Sequence, residues 1–457
     1  MQVKTGRTLA AAAAIGMGLA LSPVAAAAET LTDALISAYR QSGLLEQNRA
    51  LLRAADEDVA QAVAATRPAI SYAVGSTYVT PTVGQNLTAS ASLSADLTLY
   101  DFGRNQLAID AAKETVLATR ETLVSVEQQV LLRAVNAYME VRRAAAFVGL
   151  RQNNVRLITQ ELRAANDRFE VGEVTRTDVS IAEARLSAAR SGLAAAQGDL
   201  AAAREEYRAA VGQYPGDLQP PPSPPATARS LDAARAVAVR SHPDMRSAQR
   251  QITVAELNIE RARAAMKPTL TGRASLSLDQ DFNDRSSVGV ELSGPIYQGG
   301  RLSSLVRQTR ARRDAQFANL HVVRHDVEQN VGNAWARLAV AVATLQATDQ
   351  QVRSASVAFR GVQEEATLGA RTTLDVLNAE QELLDARAER ISAEVERYVA
   401  IYSLLQAMGM LTVDHLNLGI VTYDPSAYYN AVRNAPVGDV SPRGKKLDRV
   451  LKAIGRN

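Results

Sequence analysis

The chain has 457 residues and no cysteine, which excludes a disulfide framework, a thiolate zinc site, a cysteine nucleophile and a lipid anchor on an N-terminal cysteine. Its 51 basic and 48 acidic residues are interspersed without a dense basic block, so the formal charge of +3 indicates no nucleic-acid partner. Aromatic residues make up only 4% while alanine abounds, a composition suited to long helices packed through small side chains.

Residues 1–28 read as a secretory signal peptide. Lys4 and Arg7 precede an apolar stretch from Leu9 to Leu21, Ser22-Pro23 breaks it, and Ala26-Ala27-Ala28 offers a cleavage site. About 13 apolar residues fall short of the roughly 20 that span a bilayer. Removing Lys4 and Arg7 leaves a charge of +1. No later segment has 18 uncharged apolar residues, so the mature chain is expected to be periplasmic, secreted or an outer-membrane β-barrel.

The rest of the chain is written twice: a first repeat over 29–212, a proline-rich linker over 213–229, a second repeat over 230–412, and a C-terminal segment with a partly disordered tail over 413–457. Thr30 and Ser230 open matching segments, and Pro68 matches Pro268, both 200 apart. The offset then becomes 197. Tyr100-Asp101-Phe102-Gly103-Arg104 matches Tyr297-Gln298-Gly299-Gly300-Arg301, Gly172 matches Gly369, and Asp178 matches Asp375. The linker carries Tyr214-Pro215-Gly216 and Pro220-Pro221-Pro222-Ser223-Pro224-Pro225, which favours extended geometry.

In chain order, each repeat is predicted to hold a helix (31–66 in the first), a β-hairpin, a helix of about 65 residues and a last helix (174–212). At roughly 1.5 Å per residue the long helix would reach about 100 Å, and the two shorter ones would match it if stacked end to end. Val179, Leu186, Leu193, Leu200 and Tyr207 recur every seven residues, with Ala182, Ala189, Ala196, Ala203 and Ala210 three positions later. Ala379, Ala386, Ala393, Ala400 and Ala407 continue the ladder in the second repeat. A heptad seam with alanine at one position predicts a closely packed left-handed coiled coil. Helices alone would suit a soluble coiled coil equally well.

The strands add what the helices lack. Leu87, Ala89, Ala91, Leu93, Ala95, Leu97 and Leu99 alternate with Thr88, Ser90, Ser92, Ser94, Asp96 and Thr98. Leu270–Asp279 and Val288–Ser293 alternate likewise, and Ile70–Val79 does so more weakly. One polar and one apolar face suits a barrel with a wet lumen in lipid. A half-buried soluble sheet has the same pattern, but the leader, the duplication and the long helices favour the barrel. Four strands cannot close one, and an open edge is forbidden in lipid, so chains must pool their strands. Three chains would supply twelve strands and twelve helical columns. At about 9 Å between columns the ring of axes is roughly 35 Å across and encloses a lumen of about 25 Å. Two or four copies also close; three is favoured.

The duplicated Tyr-x-x-Gly-Arg junctions and the segment Leu368-Gly369-Ala370-Arg371-Thr372-Thr373-Leu374-Asp375-Val376-Leu377-Asn378-Ala379 resemble TolC-type outer-membrane efflux proteins across residues 30–420. The resemblance implies a mainly α fold with a transmembrane β-barrel, a homotrimer whose 12-stranded barrel continues into a 12-helix α-barrel. It further implies a passive duct in outer-membrane lipid that docks on a periplasmic membrane-fusion adaptor and an inner-membrane pump of ABC or RND type. Such a duct exports drugs, or proteins as in type I secretion, and needs no cofactor. By the same resemblance Asp375 forms a carboxylate ring at the periplasmic constriction, with Asn378 at the second, usually acidic, position. Arg371 resembles the arginine tethering the closed state, and Thr177 and Asp178 its partners on the neighbouring coiled coil. The family's tethering tyrosine falls on Ala366. Gly172 and Gly369 resemble the helix-turn tips that face the adaptor. Independently of family, carboxylates crowded around an axis repel one another and favour cations. Arg371 and Asp375 could also be a mere i,i+4 pair on a solvated face.

His321 and His325 lie four apart, but no further histidine or cysteine completes a metal shell. No G-x-S-x-G, P-loop or H-E-x-x-H occurs, so no enzymatic activity is expected. A non-conducting coiled-coil spacer or adhesin is the alternative reading.

Overall fold

The computed structural model of the chain describes residues 29–78, 80, 87–435 and 449. The expected leader over 1–28, most of the first hairpin turn and the tail beyond 435, apart from residue 449, lie outside the described residues.

The first repeat contains α1 (Leu31–Gln41), α2 (Gly43–Ala64), β1 (Ala69–Tyr78), β2 (Leu87–Tyr100), α3 (Arg104–Glu170) and α4 (Arg176–Val211). The second contains α5 (Leu231–Ser241), α6 (Pro243–Ala264), β3 (Thr269–Asp279), β4 (Asp284–Ser293), α7 (Arg301–Thr367) and α8 (Thr373–Ala407), and α9 (Pro425–Val432) follows. The three-residue slip between repeats is a net difference: the second hairpin is shorter than the first, and the link from β4 to α7 is longer than that from β2 to α3.

Two expectations need correction. The single helix expected over 31–66 is broken at Ser42, which leaves the helical region (φ −66°, ψ 111°) so that its side chain can accept the N–H of Leu45. In the second repeat His242 breaks the helix at the same place, because the ring of Pro243 disfavours helical geometry in the residue before it. A helix also forms inside the C-terminal segment, where only a partly disordered tail was expected: Pro425 occupies the first turn of α9, where a missing N–H costs nothing, and Asp424 caps that helix.

α3 and α7 each run 67 residues, about 100 Å at the helical rise. The shorter helices stack beside them. α2 and α4 pack along successive lengths of α3, and α6 and α8 do so along α7, while α3 also packs on α6 and α8. The layer therefore reads α2/α4, α3, α6/α8, α7. The stacking joints explain two glycines. Gly212 (φ +93°) ends α4 against Gln41, and a Cβ there would collide with the glutamine side chain. Gly409 (φ +73°) ends α8 with its Cβ position 2.8 Å from the Cα of His242. The alanine ladder of α4 is buried from Ala182 to Ala210, as close helix packing demands. α3 buries twice as many residues as α7, so α7 is the outer column on one side.

The strands form one antiparallel sheet in the order β1-β2-β3-β4, with β2 and β3 joining the repeats. Ile70, Ala95, Ala274 and Val288 align across one face, and Ser71, Ser94, Ser275 and Ser287 align across the other. On the polar face the hydroxyls of Ser71 and Ser94 are 2.8 Å apart, as are those of Ser275 and Ser287, and Arg273 Nε donates to Asp96 Oδ1 at 2.6 Å. β1 and β4 are exposed along their whole length. No described helix is long and apolar enough to cross a membrane.

The main core lies at mid-height, where α1, the ends of α4 and α8 and the segment around Leu411–Leu418 gather on the middle of α3; Tyr138, Tyr207 and Leu405 are fully buried there. Glu29 pins the proline-rich linker to this core. Its N–H donates to Asp217 O (2.9 Å) and its carbonyl accepts from Gln219 N (3.0 Å). Its carboxylate accepts from Tyr207 Oη (2.7 Å), Gln213 Nε2 (3.0 Å) and Gly216 N (3.1 Å). Glu29→Ala would strand these three donors, at a cost of about 2–4 kcal/mol. A lowered thermal midpoint of the purified protein is expected, and an unchanged one would show that water replaces the carboxylate.

Candidate functional site

Both long helices end about 100 Å from the sheet, and the two turns that close them are built alike. Gly172 (φ +80°) and Gly369 (φ +75°) take left-handed conformations that side chains avoid. Gly172 N donates to Phe169 O and Glu173 N to Arg168 O; Gly369 N donates to Ala366 O and Ala370 N to Glu365 O. These paired bonds are Schellman stops, which satisfy the last carbonyls of each helix. The residue before each glycine, Val171 and Leu368, is apolar and exposed (71% and 85%), so each tip presents a hydrophobic knob.

The return helices start with capping boxes. Thr175 caps α4 and Thr372 caps α8, each hydroxyl accepting the N–H of an aspartate three residues on, Asp178 and Asp375. In return the aspartates accept from the threonine N–H groups at 2.9 and 3.0 Å. For Asp375 the backbone N–H of Thr372 is the largest influence, its hydroxyl the next, and Arg371 adds to both; together they hold the carboxyl below the usual carboxylate range. For Asp178 the hydroxyl of Thr175 leads. Both acids are therefore anionic at neutral pH, and their capping contribution is lost only as pH falls through these depressed values.

The expected site residues separate into groups. Arg371 and Asp178 line one cavity of about 580 Å³ between the two tips, with Arg168, Glu173 and Thr372. Within the chain Arg371 Nε donates to Glu365 Oε2 at 2.8 Å. Thr177 is exposed and is not among the lining residues of that cavity. Asn378 sits one turn into α8 and accepts from Arg185 Nη2 at 3.1 Å, a bridge from α4 to α8. Ala366 is buried beside Phe359, Val376 and Leu383.

Sequence reasoning missed Arg185, Glu365 and a buried pair deeper in the bundle. Asn154 Nδ2 of α3 donates to Glu380 Oε1 of α8 at 2.7 Å, and both residues are buried. A signal existed: Glu380 stands in register with the apolar Val376 and Leu383 of the seam, and Asn154 with Ile158.

The family model described as "Outer membrane efflux protein" matches residues 35–213 and 235–410. The chain is 36% identical over 451 residues to the outer membrane efflux protein BepC of Brucella suis, covering 97% of this chain and 99% of that protein. It is 27% identical over 345 residues to the alkaline protease secretion protein AprF of Pseudomonas aeruginosa, covering 72% of this chain and 71% of that one. The solved structure of CusC has the same fold, with a TM-score of 0.75 at 20% identity over 84% of this chain and 92% of that chain.

Thr372→Ala removes the α8 cap. Amides at the start of α8 should then exchange with deuterium roughly five- to tenfold faster, while those of the Gly172 tip keep their rates. Equal acceleration at both tips would mean that the two hairpins fray as one unit.

Proposed function

Because the chain belongs to the outer membrane efflux protein family, we propose that three copies close into a passive export duct through the Gram-negative outer membrane, gated at its helical tips. Outer-membrane efflux is the family's work; the copy number, the gate and the cargo are our reading. The observation that carries it is the four-stranded sheet with one apolar face, one serine-rich face and two unpaired edges, continuous with helices of 67 residues. β1 and α2/α4 lie at one side of each chain, and β4 and α7 at the other. Joining unlike edges around an axis is a heterologous contact that closes into a ring. Apolar side chains await cover or lipid on these edges: Ile70, Tyr72 and Val74 on β1, Val288, Val290 and Leu292 on β4, and Phe317, Val322, Val340 and Val357 on α7.

In the ring, three copies of Asp375 surround the axis at the tips, and crowded carboxylates favour cations. Asn378 stands where a second acid ring would be, so the barrier to anions is thinner than two rings would make it. Arg371 tethers the closed state by exchanging its Glu365 contact for Thr177 and Asp178 of the neighbouring coiled coil, a well-solvated and therefore weak clamp. The glycine turns at Gly172 and Gly369, with Val171 and Leu368, present the docking face for a periplasmic adaptor coupled to an inner-membrane ABC or RND-type pump. BepC is named for efflux and AprF for protease secretion; the cargo proposed here is accordingly proteins, small toxic compounds or both.

Single-channel recording of the purified protein in planar bilayers tests the duct. Wild type should show a small, cation-selective conductance, Arg371→Ser a larger one, and Asp375→Asn a reduced preference for cations. Conductance indifferent to Arg371→Ser would keep the duct and remove the tether. A folded, membrane-inserted oligomer that conducts nothing would instead support a structural spacer.

A further inference from the structure

The contact between Asn154 and Glu380 joins the two coiled coils of one chain. α3 belongs to the first, α8 to the second, and Glu380 lies five residues above Asp375, about 7.5 Å along the axis. Glu380 is only 5% exposed. Oε1 accepts from Asn154 Nδ2, while Oε2 is buried without a hydrogen-bond partner among the described residues. It borders a cavity of about 210 Å³ whose walls come from three helices: Asn153 and Leu157 on α3, Phe359 and Arg360 on α7, and Leu383 and Arg387 on α8. The charged groups facing this place do not neutralise a carboxylate there. From α3, Glu161 adds negative charge. From α7, Arg360 turns its Nε to the carbonyl of Ser356 at 3.3 Å. Arg387 on α8 is exposed, and Arg185 on α4 is engaged by Asn378 on the turn below.

A half-satisfied carboxyl in an apolar seam is tolerable when neutral and costly when ionised. We propose that Asn154 and Glu380 form a proton-dependent latch, which holds the α7/α8 pair against α3 while Glu380 is protonated and lets it swing away when Glu380 ionises. The latch rests on the gate reading, since it presumes that the α7/α8 tip moves for the duct to open. It differs from the Arg371 tether in kind, because it is buried.

The direction of the pH effect follows from the two environments. Burial, the largest influence, and Glu161 push the Glu380 carboxyl up to about 7, against the donor from Asn154. Once α8 leaves α3 the group is hydrated and returns toward 4.5. The closed state thus binds the proton more tightly. Its advantage is complete below the hydrated value and is lost as pH rises through about 7. One proton per latch changes the closed-to-open ratio by up to about tenfold per pH unit in each chain.

The test is mean conductance of the assembled protein in planar bilayers between pH 5.5 and 8.5. Wild type should open as pH rises from 5.5 to about 7 and level off above it. Glu380→Gln keeps the bond to Asn154 without a titrating group, so it should stay near the acid-side conductance at every pH. Asn154→Ala removes the bond that makes the latch, so it should conduct more than wild type at pH 5.5, where the wild-type latch is closed. Asp56 is also buried and raised to about 7, by desolvation first, so the comparison between variants carries the weight. A wild type without pH response, a Glu380→Gln variant that keeps the wild-type profile, or an Asn154→Ala variant with the wild-type conductance at pH 5.5 overturns the latch. If Glu380→Gln does not assemble, the acid-side conductance of Asn154→Ala decides alone. Arg371→Ser at constant pH separates the two ideas. A larger conductance there with an unaltered profile in Glu380→Gln keeps the gate and removes the latch, and the reverse pattern removes the tether and keeps the latch.

Discussion

An unpaired strand edge cannot lie in hydrocarbon, because each backbone N–H or C=O left without a partner there costs several kcal/mol. The described residues of one chain carry four strands and therefore two such edges, β1 and β4. Everything above and below the sheet follows from that constraint. A single chain is unfinished in lipid, and its edges can be satisfied only by other copies. The helices inherit the same two sides, since α3 and α7 continue from the strands through left-handed glycines at Gly103 and Gly300. In the proposed assembly a barrel closed by copies in the membrane thus imposes a barrel of helices beneath it, and the lumen of one runs into the lumen of the other.

Energies are distributed unevenly along this tube. At mid-height Tyr138, Tyr207 and the Glu29 knot hold the first helix, the linker and the middle of α3 together through buried hydrogen bonds and apolar contact. At the tips the polar contacts are exposed, such as Arg371 to Glu365 and the two capping boxes. Solvent weakens such ion pairs, so the tips are held by weaker polar contacts than the middle. Glu380 sits between these regimes: on the helix that rises from the tip, and deep enough that ionisation matters to its packing.

Much of this was legible in sequence because duplication wrote each element twice. The Tyr-x-x-Gly-Arg junctions, the glycine tips and the alanine ladder recur at a constant offset, and local rules of capping and periodicity act on neighbouring residues. Threonine followed three residues later by aspartate is such a rule, and both boxes formed. The breaks at Ser42 and His242 were also locally encoded, in Ser-Gly and His-Pro, but heptad periodicity running through them concealed the change of direction. α9 was masked by its short length and the prolines and glycine that follow it.

What the sequence by itself determined is the set of elements, their order and their amphipathic faces, since these depend on residues within a few positions of each other. Tertiary structure alone decided which polar groups lost water. Asn154 and Glu380 are 226 positions apart, and Glu29 meets Tyr207 across 178; no local pattern pairs them. Desolvation is a property of the packed neighbourhood, so the sequence could name a carboxylate in an apolar seam, but only packing α3, α7 and α8 together set its charge.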